Sequence, residues 1–251
     1  MAEKETEISQ LGEFGLIKHL TDNIALKNQS SIKGVGDDCA IIKYDNEETL
    51  VTTDLLMEGI HFDLTYVPLK HLGYKSAIVN FSDIYAMNGT PKQIVVSLGI
   101  SKRFTVEHID ALYSGIKLAC EIYGVDLVGG DTTASRAGLT ISITCIGVGD
   151  KNSITYRNGA KDSDLICVSG DLGAAYMGLQ LLEREKIASA GQPDFQPQFQ
   201  GKEYLIERQL KPEARKDIIA ELKENNIIPT SMIDISDGLS SELLHICEDS
   251  D

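Results

Sequence analysis

Between Leu139 and Val148 the chain sets Leu, Ile, Ile and Cys in alternation with Thr, Ser and Thr. A period of two places the apolar side chains on one side of an extended strand, so this segment predicts a sheet covered on one face and polar on the other. The cover has to come from helices, and the neighbouring sequence supplies them. Leu72 to Asn88 predicts a helix, stopped by Asn88-Gly89-Thr90-Pro91, which joins a left-handed cap residue to a proline that cannot continue a helix. Gln93 to Ile100 predicts a strand. Thr105 can cap a long helix with Ile109, Leu112, Tyr113, Ile116, Cys120 and Tyr123 on one face, ended by Gly124.

Residues 11 to 27 predict a short amphipathic helix, with Leu11, Phe14, Ile17 and Leu20 as its stripe. The run starting at Cys39 and the run from Thr49 predict a hairpin turning at Asp45 to Glu48, its second strand ending at Asp54. In the second half, Leu165 to Val168 predicts a strand that runs into Ser169-Gly170-Asp171-Leu172-Gly173 and a helix to about Ile187. Residues 188 to 201, rich in Gln and Pro, predict an exposed excursion. Pro212 suits the first position of a helix to Asn225. Ser231 to Ile235 leads to Ser236-Asp237-Gly238 and a helix with Leu239, Leu243, Leu244 and Cys247 on it. This alternation of strands and helices makes the chain α/β or α+β, and Gly149 to Ser153 is the best linker, dividing residues 1–150 from 151–251.

A formal net charge of −15 over 251 residues argues against a nucleic-acid or anionic-membrane surface, because phosphate backbones are held by clustered Lys and Arg. A phosphate ligand here would need bound cations. Five cysteines, at 39, 120, 145, 167 and 247, are odd in number and without a C-x-x-C pair, which suits reduced cytosolic thiols. The first residues, MAEKETEISQ, lack the basic and apolar regions of a signal peptide, and no run approaches the ~18 apolar residues of a membrane span.

The stretch Gly34-Val35-Gly36-Asp37-Asp38-Cys39-Ala40 does not suit a dinucleotide-binding glycine loop, since it leads into a strand-like run with Cys39 at the third glycine position. A Walker A loop is also missing. What recurs instead is aspartate at the ends of elements: Asp37-Asp38, Asp54, Asp131 after Gly129-Gly130, and Asp234 with Asp237 around Ser236. Asp83 adds a carboxylate to a mostly apolar helix, with Asn80 on the same face. Two converging carboxylates about 4 Å apart repel by ~4 kcal/mol at an effective dielectric near 20, which protons or metal ions must offset. Oxygen ligands without neighbouring His or Cys favour Mg²⁺, and magnesium binds through few carboxylates plus substrate phosphates. Each aspartate taken alone is better explained as a turn former or helix cap than as a ligand. His61, Arg157 and Tyr113 have equally plain alternatives as a structural histidine, an exposed arginine and a core tyrosine.

Taken together, Leu11-Gly-Glu-Phe-Gly-Leu-Ile, GVGDDCA, LVTTDLLMEGIHF, AIVNFSDIYAMNGTP, LVGGDTT, YRNGAKDSD and MIDISDGLSSEL resemble the thiamine-monophosphate kinase family, in order and across nearly the whole chain. The resemblance implies a two-domain synthetase-like α/β (α+β) fold. Its N-terminal domain, with a mixed sheet, would hold ATP and Mg²⁺ and pair with a second copy into a barrel, and its C-terminal α/β domain would close over the nucleotide. The activity implied is Mg²⁺-dependent transfer of the γ-phosphoryl group of ATP to thiamine monophosphate in a cytoplasmic homodimer. Carried over by position, Asp38, Asp54, Asp83, Asp131 and Asp234 match magnesium ligands, with Thr53 and Asp237 beside them. Tyr113, Gly130, Asp131, Arg157 and Ser236 match ATP contacts, and His61 a substrate contact. No side chain is implied as nucleophile. Family members continue past His245 to Asp251 through a Gly-Gly-Glu-Asp-Tyr stretch, so the resemblance implies either that this chain is a fragment or that its acceptor pocket is incomplete. The alternatives are a superfamily relative making another phosphorylated product and a non-catalytic Mg-ATP-binding fragment.

Overall fold

The computed structural model describes residues 8–33, 41–42, 47–192 and 196–250. Its centre is a four-stranded mixed sheet built from β3 (Glu48–Met57), β4 (Thr90–Ile100), β5 (Asp126–Ala134) and β6 (Leu139–Gly149), in the order β3-β6-β4-β5. β6 runs antiparallel to both β3 and β4, and β4 and β5 are parallel. The alternation in Leu139 to Val148 does what its period dictates: Leu139, Ile141, Ile143 and Cys145 are buried under helices, and the Thr and Ser between them face the other way.

The cover consists of α2 (Leu69–Ala86) and α3 (Val106–Tyr123). These helices cross with almost no space between their backbones. A Cβ on Gly73 would meet the Leu112 carbonyl oxygen at 1.9 Å, and one on Gly115 would meet that of Lys70 at the same distance, so glycine at both positions lets the helices touch. α2 ends as its sequence predicts, with Asn88 at φ +57°, and α3 ends at Gly124 with φ +72°. At its start His108 turns back so that its Nδ1 accepts the Thr105 N–H at 3.1 Å.

Four expectations are corrected. α1 spans Ile8–Thr21 and buries Leu16 and Leu20, while Leu11 is 38% exposed. Among the described residues the hairpin of the 39–44 and 49–53 runs does not form: β2 (Ile41–Ile42) pairs with β1 (Ser31–Lys33), and β3 continues beyond Asp54 to lie along β6. Pairing with β6 extends over all ten residues of β3, a far longer ladder than a local hairpin would give. Leu165 to Val168 takes no regular secondary structure and joins no strand among the described residues, and Leu165 is 91% exposed. The helix after Pro212 starts only at Lys216, as α6 (Lys216–Glu224), because residues 213 and 214 are held elsewhere. The Glu213 carboxylate accepts from the Tyr74 and Tyr123 hydroxyls at 2.7 and 2.8 Å, and the Ala214 carbonyl lies 3.0 Å from the Tyr123 hydroxyl.

Beyond the sheet lie α4 (Ala174–Ser189), α5 (Glu203–Leu210) and α7 (Leu239–Ser250). α5 packs on α4 at Gly178, where a Cβ would meet the Leu205 carbonyl. α6 docks on the end of α3, placing Lys216 Nζ 2.7 Å from the Ile122 carbonyl oxygen, where a helix C-terminus favours a cation.

Candidate functional site

Two neighbouring elements of the sheet layer and one segment of the second half bring three carboxylates within reach of one another's charge. On β3 the alternation turns Thr52 and Asp54 toward α2 and leaves Val51, Thr53 and Leu55 on the open face. Asn80 of α2 is fully buried, its Nδ2 tied to the Ser76 carbonyl, and its Oδ1 accepts the Asp54 backbone N–H at 3.1 Å. One turn on, Asp83 Oδ2 accepts the Thr52 hydroxyl at 2.5 Å. The adjacent Ser82 donates its hydroxyl to Asp234 Oδ2 at 2.7 Å, drawing the 231–235 segment against α2. A cavity of about 630 Å³ opens here, lined by Thr52, Asp83, Arg157, Asn158, Asp234 and Asp249 among others.

The electrostatics of this corner are those of charge without enough counter-charge. Burial pushes the Asp83 carboxyl up to about 6, Asp234 and Asp54 add to the rise, and the Thr52 hydrogen bond and Arg157 only partly oppose it. Asp54 is raised in the same way, by burial first and Asp234 second, with His61 pulling it down. A bound cation would relieve this cost, so the carboxylates fit one. Among the described residues no three His, Cys, Asp or Glu side chains are placed to close on one ion. An Mg²⁺ ion takes one or two carboxylates and completes its shell with water and substrate phosphates, so a set of three is not required of it.

The other candidates lie apart from this corner or around it. His61 Nδ1 accepts the Met57 N–H at 3.0 Å, which keeps the exposed ring next to the end of β3 and close enough for its charge to act on Asp54. Thr53 is on the opposite face from Asp54: its hydroxyl bonds the Ile143 carbonyl and receives the Thr144 hydroxyl, and the threonine that reaches a carboxylate is Thr52. Tyr113, Gly130 and Asp131 line a second, small recess of about 40 Å³ on the β5 side. Gly130 is required there by the sheet, since a Cβ would meet the Val96 carbonyl oxygen at 1.9 Å. Burial pushes the Tyr113 phenol up to about 12. Arg157 lines the large cavity, its own carbonyl accepting from the Ser231 and Ser250 hydroxyls. Ser236 and Asp237 are exposed on the turn into α7, where their backbone N–H groups meet Glu242. Asp38 lies outside the described residues.

Thr52, Ser82 and Glu242 were not singled out by the sequence. Thr52 and Ser82 sit beside chosen aspartates, and strand and helix periodicity could have picked Thr52 because it shares a face with Asp54. A glutamate in the first turn of a helix carries no such signal.

This mixed sheet, with helices on one face and aspartates on its strands and covering helix, is of a class that the sequence identifies: residues 36–149 match AIR synthase related protein, N-terminal domain. Within that class the likeness narrows. The chain is 35% identical over 241 residues to the thiamine-monophosphate kinase of Aquifex aeolicus, covering 96% of this chain and 72% of that protein. A solved structure described as AaThiL complexed with AMPPCP and TMP matches with a TM-score of 0.72 and 33% identity, over 99% of this chain and 73% of that one. The thiamine-monophosphate kinase of Stenotrophomonas maltophilia matches with a TM-score of 0.77 and 29% identity, over 93% of this chain and 70% of that one. The chain belongs to the thiamine-monophosphate kinase family.

Proposed function

We propose that the chain transfers the γ-phosphoryl group of ATP to thiamine monophosphate. An oxygen of the acceptor phosphate bonds to the γ-phosphorus, the bond from that phosphorus to the β,γ-bridging oxygen breaks, and ADP leaves with the electron pair as thiamine diphosphate forms. The observation that carries the site assignment is the approach of Asp54 on β3, Asp83 on α2 and Asp234 from the second half, joined by Thr52 and Ser82. The relative that holds AMPPCP and TMP supports the choice of nucleotide and acceptor.

The residues divide the work by chemistry. Asp54, Asp83 and Asp234 would hold Mg²⁺, one or two carboxylates to an ion, and Asp38, Asp131 and Asp237 are the further ligand candidates, while Thr53 faces away from this corner. Bound there, magnesium would neutralise charge on the phosphate oxygens. Thr52 and Ser82 keep two of the carboxylates aimed at the cavity, and Arg157 presents a guanidinium to phosphate. Tyr113, Gly130, Asp131 and Ser236 are assigned to ATP, and His61 to the acceptor. A phosphate acceptor is already ionised at neutral pH, so the reaction needs alignment and charge neutralisation more than a general base.

We further divide the chain into a 1–150 nucleotide, metal and dimerisation domain and a 151–251 closing domain. Val51, at 65% exposure, and Leu55, at 52%, give the open face of the sheet an apolar surface that supports a homodimer. A cytoplasmic location suits the four described cysteines, none of which is in a disulfide. No described helix is long and apolar enough to cross a membrane. The test of the site is Asp83→Asn, which is expected to abolish magnesium-dependent thiamine diphosphate formation. Full activity in that variant would remove the carboxylate cluster from the mechanism.

A further inference from the structure

α7 buries the wrong residue for an ordinary amphipathic helix. Its apolar positions are at most half-buried, Leu239, Leu243 and Ile246 partly covered and Leu244 and Cys247 exposed, while Glu242 is only 4% exposed. The reason lies in the preceding turn. Gly238, at φ +120°, lets the chain reverse into the helix, and the Gly238 carbonyl accepts from the Ser241 and Glu242 N–H groups to start the first turn. The Glu242 side chain then folds back over that start. Its Oε1 accepts the Asp237 N–H at 3.0 Å and the Ser236 N–H at 3.3 Å, with the Ser236 hydroxyl at 3.4 Å. Oε2 is buried and has no hydrogen-bond partner among the described residues. Closing a helix start with a backward-reaching glutamate is a known capping device, and a carboxylate is favoured at that end of a helix. A cap could be made by a serine or aspartate in the turn at less desolvation cost. The residues held here are also not arbitrary: they are the two of this turn assigned above to nucleotide and metal, and Asp234 two residues earlier is bonded to Ser82.

We propose that Glu242 is a positioning residue for phosphoryl transfer, fixing the backbone of Ser236 and Asp237 so that both meet the magnesium–ATP complex in one geometry. This rests on the reading of Ser236 and Asp237 given above. Ser82 holds the Asp234 end of the segment against α2, and Glu242 holds the other end from within α7. The four residues from Asp234 to Asp237 are thereby fixed at both ends.

The test is calorimetric binding of Mg-ATP to the wild type, Glu242→Ala and Glu242→Gln, with the KM for thiamine monophosphate measured on the same preparations. Loss of a carboxylate that accepts two N–H groups is expected to weaken Mg-ATP binding about tenfold or more in the alanine variant. Glutamine keeps a carbonyl acceptor of the same shape but without charge, so it is expected to restore most of the loss, leaving about threefold. The KM for thiamine monophosphate should stay at its wild-type value in both. Wild-type Mg-ATP affinity in the alanine variant would overturn the proposal, as would equal loss toward nucleotide and acceptor, which marks a cap with a structural role only. If the alanine variant does not fold, the glutamine variant decides alone, and unchanged Mg-ATP affinity in it counts against the role. A wild type that binds Mg-ATP yet makes no thiamine diphosphate would sink the kinase reading and leave the comparison of affinities standing.

Discussion

Asp83 shows how a side chain can be costly to the fold and still suit the site proposed for it. Without a cation its carboxyl sits at about 6, raised by burial and by Asp234 and Asp54, against 3.8 ordinarily. Between those two values the folded chain binds more protons than the unfolded one, so this residue's contribution to stability falls as pH rises from about 4 to about 6 and stays low above that. Asp83→Asn removes the penalty. In chelator-treated protein at pH 7 the variant is expected to melt a few degrees higher than the wild type, about 1 kcal/mol once solvent screening of a half-exposed group is allowed for. The gain should vanish below pH 4, and an equal or lower melting temperature at pH 7 would contradict this account of the cluster. The sequence made Asp83 legible because a lone carboxylate interrupts an apolar helix. Its partner hydroxyl was not legible, since Thr52 and Thr53 differ only in which way the strand turns them, and that follows from pairing with β6. Glu242 was invisible for a related reason: its burial comes from the turn it folds over, not from any pattern in α7.

At the scale of elements, helices that follow a period and stop at Asn88 and Gly124 could be predicted from sequence, and so could the alternating strand β6. Pairing could not. The partner of β3 lies about ninety residues away, and nothing in either strand alone names the other. α5 escaped notice because eight residues make little more than two turns, too short for a helical period to show. The shortened α6 records a competition that Pro212 lost to Glu213. Burial alone would raise the Glu213 carboxyl, but hydrogen bonds from Tyr74, Tyr123 and Lys211 together hold it below its ordinary range. Tyr74 is itself buried, so Glu213→Ala leaves its hydroxyl without an acceptor and should cost about 2 kcal/mol by urea unfolding at pH 7. A lowered pKa means the contribution is present above the unfolded value of about 4.5 and fades as pH falls below it. The difference between variant and wild type should therefore shrink between pH 5 and pH 3, and a pH-independent difference would rule out the charged hydrogen bonds as its source.

For the whole molecule, the class of fold could be read from the order of its motifs, and the comparisons bear it out. The arrangement that makes a site from two halves was less accessible, because it depends on Ser82 reaching Asp234 across 152 residues. The open face of the sheet offers a separate prediction. Leu55→Lys places a charge in the middle of the proposed dimer surface and should give a monomer by sedimentation, whereas an unchanged sedimentation coefficient would place any self-association elsewhere. The central claim is that this chain is a magnesium-dependent kinase acting on thiamine monophosphate, and it is met most directly by chromatographic measurement of thiamine diphosphate formed from ATP and thiamine monophosphate, with and without Mg²⁺. Product that appears with magnesium and is absent without it is the predicted result. No product in the presence of magnesium, or equal product in its absence, would contradict the account.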